Sequence, residues 1–257
     1  MSSTTGRYVR LLIKMVNERL VADLQKLGIE EGDTVLVHSS LSSLGYVEGG
    51  AETVIDSLLE VLKEGTLLMP SLTYASSGKT HHFSVKDTPS CVGTISERFR
   101  QRPDVIRSVH PTHSVCGKGK YAKELLSEHI DTNTPAGGKS PYALLPKYHG
   151  KILMLGCGLR PNTSMHAVEE VAKTWYVLKD TPSEFTLVDS QGNSTEKSYF
   201  CHDFSKVWQR YDRLAELMDI PSGKVLEADC YLIPTREMWE TAIRKLKENE
   251  DFFVDMK

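Results

Sequence analysis

The chain has 257 residues, 40% hydrophobic and 25% charged, with a formal net charge of -3 and a pI near 6.3. That composition suits a soluble globular enzyme of one domain carrying an insertion, argues against wholesale disorder, and offers no basic stripe for nucleic acid. The five cysteines, Cys91, Cys116, Cys157, Cys201 and Cys230, are scattered without a CxxC pair, which speaks against a disulfide framework or structural zinc and for a reducing cytosol.

The opening residues 1–7 hold no apolar core of signal-peptide length. No run approaches the ~20 apolar residues that a spanning helix needs, so a cytoplasmic chain without a membrane partner is expected. Residues 1–28 read as a helix: Val9, Leu12, Ile13, Val16, Leu20, Leu24 and Leu27 recur at three-to-four spacing, and Gly28 stops the pattern. Val35-Leu36-Val37-His38 is a short apolar run and predicts a buried strand. A serine-rich turn follows at 39–45, then an amphipathic helix through Leu62 and a second strand over 66–70. Helix, strand, turn, helix, strand is an α/β pattern.

Residues 74–104 are polar, with a short helix over 94–102, and 121–129 reads as helix. A loop over 134–141 precedes a short helix to Leu145. The run 151–156 is the most apolar strand, followed by a turn at 157–163 and a helix from Ser164. A hairpin is expected over 183–200 around Asp189-Ser190-Gln191-Gly192-Asn193. The remainder reads as mostly helical, broken near Pro221-Ser222-Gly223, with a strand over 228–233 and a last helix from Thr235.

Four segments carry chemistry. In Asn162-Thr163-Ser164-Met165-His166-Ala167-Val168-Glu169-Glu170, Thr163 or Ser164 can cap the helix, and His166 shares a face with Glu169 three residues on and Glu170 four on. A carboxylate beside an imidazole fixes its tautomer and raises its basicity, as a general base requires. The same spacing also fits a packed histidine beside a solvated glutamate. In His38-Ser39-Ser40-Leu41-Ser42-Ser43-Leu44-Gly45, hydroxyls and backbone N–H groups at a strand end can hold phosphate or amide groups, although the P-loop spacing is absent. His110-Pro111-Thr112-His113-Ser114 has two histidines three apart, but no further metal ligand lies nearby in sequence, so no metal is expected. Thr134-Pro135-Ala136-Gly137-Gly138-Lys139-Ser140-Pro141 allows close backbone approach, and Ser140 with Pro141 can begin a helix. The glycines of Gly156-Cys157-Gly158 flank the cysteine directly, which is not the spacing of a nucleophile elbow.

Taken together and in order, these four segments resemble the aminoglycoside 3-N-acetyltransferase family, over roughly residues 8–255 and most sharply between 33 and 170. The resemblance implies a mixed α/β fold, a central sheet flanked by helices, in a single domain over 1–257. It implies acetyl transfer from acetyl-CoA, without a metal, to an amine of an aminosugar or aminoglycoside, the chemistry of antibiotic resistance. His166 and Glu169 correspond to the family's histidine-and-acid pair. The coenzyme A cleft would be lined by His38, Ser39, Ser40, Leu41, Ser43, His110, Thr112, His113, Ser114, Val115, Lys139 and Ser140. Aminoglycosides are polycations, so Glu170, Asp180 and Asp203 are the carboxylates expected to face the acceptor, with contacts from about residue 180 onward. A hydroxyl or backbone amide within 112–115 would serve as oxyanion donor. By family analogy the chain would form a homodimer. Two other readings stay open: a hydrolase using Cys157 or a serine with His166, and a coenzyme A binder without catalysis.

Overall fold

The computed structural model describes residues 3–257; the first two residues of the helix read over 1–28 lie outside the described residues. In chain order the elements are α1 (Ser3–Lys26), β1 (Thr34–Ser39), α2 (Ala51–Val61), β2 (Thr66–Pro70), α3 (Ser77–Thr80), β3 (His82–Ser84), α4 (Thr94–Arg100), β4 (Ile106–Arg107), β5 (Val115–Gly119), α5 (Ala122–Leu126), α6 (Pro141–Leu144), β6 (Lys151–Leu155), α7 (Ser164–Ala172), β7 (Ser183–Val188), β8 (Ser194–Tyr199), β9 (Val207–Gln209), β10 (Ser222–Val225), β11 (Ala228–Pro234), α8 (Thr235–Glu248) and β12 (Val254–Met256).

Seven strands form one mixed sheet in the order β10-β11-β6-β1-β2-β5-β4. At its centre β1 runs parallel to both β2 and β6, while the outer pairings are antiparallel. Helices cover both faces, so the central strands are buried on both sides and read as unbroken apolar runs. Alternation along each strand divides the core in two. Val35, Val37, Leu153 and Leu155 pack with Leu20, Leu24, Ile55, Leu58 and Phe99, from α1, α2 and α4. Leu36, Ile152 and Met154 pack with Met165, Val168, Met238 and Ala242, from α7 and α8. His38 continues the Leu36 side and so points toward α7.

The parallel strands β1 and β6 end together, with Ser39 paired to Leu155. Crevices at the carboxyl ends of parallel strands are the usual ligand sites of such sheets. Gly156 follows at φ +70, and a Cβ there would lie 2.9 Å from Ser43 Cβ and 3.0 Å from Ala228 Cβ. Only glycine lets the chain leaving β6 pass so close to the serine turn.

Three elements depart from expectation. The stretch after the hairpin is not mostly helical: it holds β9, a 3-10 turn over Tyr211–Glu216 and β10, the last lying across the expected break at 221–223. Its apolar residues are spaced by contacts with several elements, not along one helix face. Second, β3 lies in the polar 74–104 region and pairs with β7 about a hundred residues later, in a three-stranded sheet β3-β7-β8. Third, the helix read over 121–129 ends at Leu126, and a 3-10 turn over His129–Asp131 follows. Among the described residues, no helix is long and apolar enough to cross a membrane.

Candidate active site

A cavity of about 580 Å³ opens at the carboxyl ends of β1, β2 and β6. His38, Ser39, Thr112, His113, His166, His202 and Tyr211 are among the residues lining it. A second hollow of about 680 Å³ lies over the serine turn and includes Ser39, Ser40, Leu41, Ser42, Cys91 and Gly93. Ser39 and Val92 line both, so the two hollows adjoin.

His166 sits in the first turn of α7. The cap differs from expectation: neither Thr163 nor Ser164 provides it, and Asn162 Oδ1 accepts from the Ser164 amide at 3.2 Å. The helix start is held from the other side too, because Asn162 Nδ2 donates to the Met238 sulfur at 3.4 Å. One turn on, Glu169 is fully buried. Its Oε1 accepts from the Tyr176 hydroxyl at 3.0 Å, and its Oε2 from the Tyr211 hydroxyl at 2.7 Å. Tyr211 Oη also stands 2.7 Å from His166 Nδ1.

This chain of bonds fixes a tautomer. With the Tyr211 hydroxyl donating to Glu169 Oε2, its oxygen accepts from His166 Nδ1–H. His166 Nε2 then carries a lone pair. The direct His166 Nδ1 to Glu169 Oε2 distance is 3.4 Å, longer than either leg through the tyrosine. The expected pair is therefore a relay whose middle member, Tyr211, no local sequence pattern marks.

Three more histidines surround His166. His113 and His202 each lie within about 6 Å of it, ring centroid to centroid, at 6.1 and 4.6 Å. Burial holds both well below the ordinary imidazole value, with neighbouring imidazoles adding to the shift. Burial, with the nearby His166, likewise lowers His38 to about 3. His110 does not line the cleft. It is fully buried, and its Nδ1 accepts from the amides of Thr112 and His113 at 3.2 and 3.0 Å. It thus shapes the turn that places His113, and it takes up two of the amides expected as oxyanion donors. The Val115 amide is likewise engaged, donating to Ser108 Oγ at 2.8 Å.

Other expected cleft residues also stand behind the wall. Ser43 Oγ lies 2.9 Å from Ser40 Oγ, and Ser43 lines neither hollow. Ser114 Oγ donates to the Ser71 carbonyl, and Val115 is fully buried in β5. Ser140 caps α6, accepting from the Ala143 amide, and Lys139 pairs at the surface with Glu128 and Asp131. Of the expected acceptor carboxylates, Glu170 is buried and occupied. It accepts from Thr134 Oγ1 at 2.6 Å and the Ala136 amide at 2.9 Å, and bonds His202 Nε2 at 2.8 Å. Burial pushes its carboxyl up to about 7. Asp180 is exposed beside the cleft, and Asp203 accepts from the Ser205 amide. Their neighbours Lys179, His202 and Phe204 line the cavity instead. Among the described residues no carboxylate lines this cavity, whereas Arg160 and Lys179 do. Burial pushes the Cys157 thiol up to about 12, so a nucleophilic thiolate is scarce there.

Comparison with known proteins points one way. Residues 36–247 match the family described as aminoglycoside 3-N-acetyltransferase. The chain is 32% identical over 227 residues to aminoglycoside N(3)-acetyltransferase VIII of Streptomyces fradiae, covering 81% of this chain and 74% of that one. It is 33% identical over 174 residues to the SPbeta prophage-derived aminoglycoside N(3')-acetyltransferase-like protein YokD of Bacillus subtilis (strain 168), covering 59% of this chain and 64% of that one. The match thus spans less than two thirds of the YokD relative's length. Among solved structures, a histidine-to-alanine variant of aminoglycoside acetyltransferase AAC(3)-IVa, in complex with a gentamicin, superposes with a TM-score of 0.80 at 27% identity, over 92% of this chain and 90% of that one.

Proposed function

This chain belongs to the aminoglycoside 3-N-acetyltransferase family, and from that premise we propose that it transfers acetyl from acetyl-CoA to an amine of an aminoglycoside or related aminosugar, with His166 as general base. The observation that carries the reading is the Glu169–Tyr211–His166 relay, which leaves the His166 Nε2 lone pair for the cavity. The donor would lie along the serine turn, in the hollow that shares Ser39 and Val92 with the cavity. Ser39, Ser40, Leu41 and Ser42 line that hollow; His38, Thr112 and His113 line the reacting end.

His166 Nε2 takes a proton from the acceptor amine as its nitrogen forms the new bond to the acetyl carbonyl carbon. The carbon–sulfur bond then breaks, and the proton is passed to the departing thiolate. Charge gathers on the carbonyl oxygen between these steps and needs a donor. With the Thr112 and His113 amides committed to His110, we assign that role to the His113 side chain. Thr112 Oγ1 lies 2.8 Å from His113 Nδ1, so a hydrogen donated there leaves the His113 Nε2–H for the oxyanion. Residues 201–211 supply His202, Phe204, Gln209 and Tyr211 to the cavity wall, the share of acceptor contacts we propose for the C-terminal third.

The test is free-thiol release from acetyl-CoA against a panel of aminosugars and aminoglycosides. Acceptor-dependent release is expected, with His166→Ala losing ~10²–10⁴ in turnover. Coenzyme A affinity should stay nearly intact, read by the rise in Tm that ligand binding gives. Full turnover in His166→Ala would remove the base assignment. Binding of acetyl-CoA with no release against any acceptor would leave a coenzyme A binder.

A further inference from the structure

His113 and His166 are 53 positions apart in sequence, and His202 lies a further 36 along. The fold brings the three together so that one ring nitrogen from each lies within 4.8 Å of the others. We propose that His113, His166 and His202 form a site for a zinc-class divalent cation, with three imidazoles as protein ligands and the cavity supplying the fourth position. Occupancy of this site and base catalysis by His166 exclude each other; that second statement rests on the acetyl-transfer reading above.

The hydrogen bonds on the far side of each ring are the strongest argument. Metal-bound histidines hold their other nitrogen on a carboxylate or another oxygen, which orients the ring and raises its basicity. Here His166 Nδ1 is held by Tyr211 Oη at 2.7 Å, itself bonded to Glu169. His202 Nε2 is held by Glu170 Oε1 at 2.8 Å. His113 Nδ1 is held by Thr112 Oγ1 at 2.8 Å. Each ring thus keeps one nitrogen for a ligand: Nε2 on His113 and His166, and Nδ1 on His202. His113 is then in the tautomer whose Nδ1–H donates to Thr112 Oγ1, in place of the Nε2–H form that serves acetyl transfer. The His202 Nδ1 is buried and has no hydrogen-bond partner in the protein. A buried imidazole nitrogen left unpaired is costly unless something completes it.

The ligand set also suits the ion. Three imidazoles with an open fourth position are a recognised zinc arrangement, and zinc binds neutral imidazole. Zn–N bonds of ~2.0–2.1 Å in a tetrahedron place nitrogens roughly 3.4 Å apart, so ligation would draw the three rings together. His110 is excluded, although the sequence pairs it with His113. Its Nδ1 accepts from two amides, and it lies outside the cavity lining. Arg160 and Lys179 also face the cavity, so the fourth position favours water, hydroxide or an anionic group.

The test uses the whole chain stripped of metal by a chelator. Titration with Zn²⁺, followed by calorimetry, should give one equivalent per chain. Co²⁺ in its place should show the intense visible absorption of four-coordinate cobalt. His202→Gln should weaken binding at least a hundredfold, and Glu170→Gln ~10–100-fold, as expected for loss of an orienting partner. His129→Gln removes a buried histidine that is not one of the three and should bind as wild type does. One equivalent of Zn²⁺ should suppress thiol release, and a chelator should restore it. Absence of one-to-one binding, or a cobalt spectrum showing only six-coordinate ion, overturns the proposal even if the wild-type chain proves an active acetyltransferase. Tight binding by an inactive chain would sink the acetyl-transfer reading and leave the metal site standing.

Discussion

Tyr211 Oη lies 2.7 Å from His166 Nδ1, closer to that nitrogen than Glu169, whose Oε2 is 3.4 Å away. The shorter contacts between carboxylate and imidazole therefore run through the tyrosine. Tyr211→Phe removes the bridge but keeps the ring that packs against His166. Turnover should fall ~10–100-fold, the scale of losing an orienting partner and less than the ~10²–10⁴ for loss of the base itself, with a smaller change in KM for acetyl-CoA. Steady-state kinetics checks this, and unchanged turnover would mean that Glu169 orients His166 directly.

Glu169 is also structural. Glu169→Ala removes the acceptor that the Tyr176 and Tyr211 hydroxyls share, leaving Tyr176 only the Glu250 carbonyl at 3.5 Å and Tyr211 only His166 Nδ1, and both side chains are buried. At ~1–3 kcal/mol for each unsatisfied buried group, the loss is about 2–6 kcal/mol. Calorimetry should show Tm lower by roughly 4–24 °C, at ~2–4 °C per kcal/mol for a chain of this size.

The buried histidines set the acid side of the stability profile. Burial lowers His129 from 6.5 to about 4, and its neutral ring bridges Ser108 Oγ at 2.9 Å and the Pro135 carbonyl at 3.1 Å. A depressed value in the folded state means stability that is complete above about 6.5 and lost as pH falls toward 4. His38, lowered to about 3, acts in the same sense. Glu170 acts oppositely: raised from 4.5 to about 7, its contribution is present below about 4.5 and lost as pH rises through 7. The two histidines outweigh the single carboxyl, so Tm should drop between pH 6.5 and pH 5. His129→Gln should flatten that slope, which denaturation at several pH values would measure.

Cys157 offers a direct comparison with a hydrolase. With its thiol pushed up to about 12, it contributes little nucleophile near neutral pH. Cys157→Ala should retain turnover within about twofold, a small core truncation at a half-buried site. Loss of turnover in a folded Cys157→Ala chain would revive the cysteine reading.

Lys179 lines the cavity where a carboxylate was expected. For a polycationic acceptor it is an unfavourable neighbour. Lys179→Glu should raise kcat/KM for such an acceptor ~2–5-fold, the scale of an exposed charge pair, and leave a neutral-bodied aminosugar nearly unaffected. Raising the salt concentration should shrink the difference.

Local spacing makes His166 and Glu169 legible, because three residues along a helix determine their shared face whatever surrounds it. The same holds for β1, β2 and β6, whose apolar runs reflect burial on both faces. Tyr211 is not legible. It lies between Arg210 and Asp212, in a charged stretch whose arginines pair with Asp255 far along the chain. His202 has no local period either, and β3 gains its definition only from β7. Glu170 is misplaced by sequence for a related reason: spacing puts it near His166, but only the fold shows that Thr134, Ala136 and His202 occupy its oxygens.

The pairing of β1 with β6 joins Ser39 to Leu155 across more than a hundred residues. That separation has a kinetic consequence. Bringing distant segments together costs chain entropy before the contacts return it, so such pairings form late. Helices α1 and α8 can gain structure early, from local contacts, while the cleft stays unassembled. During refolding, recovery of the far-ultraviolet helical signal should precede recovery of turnover, and a chain released midway would be largely helical and wholly inactive.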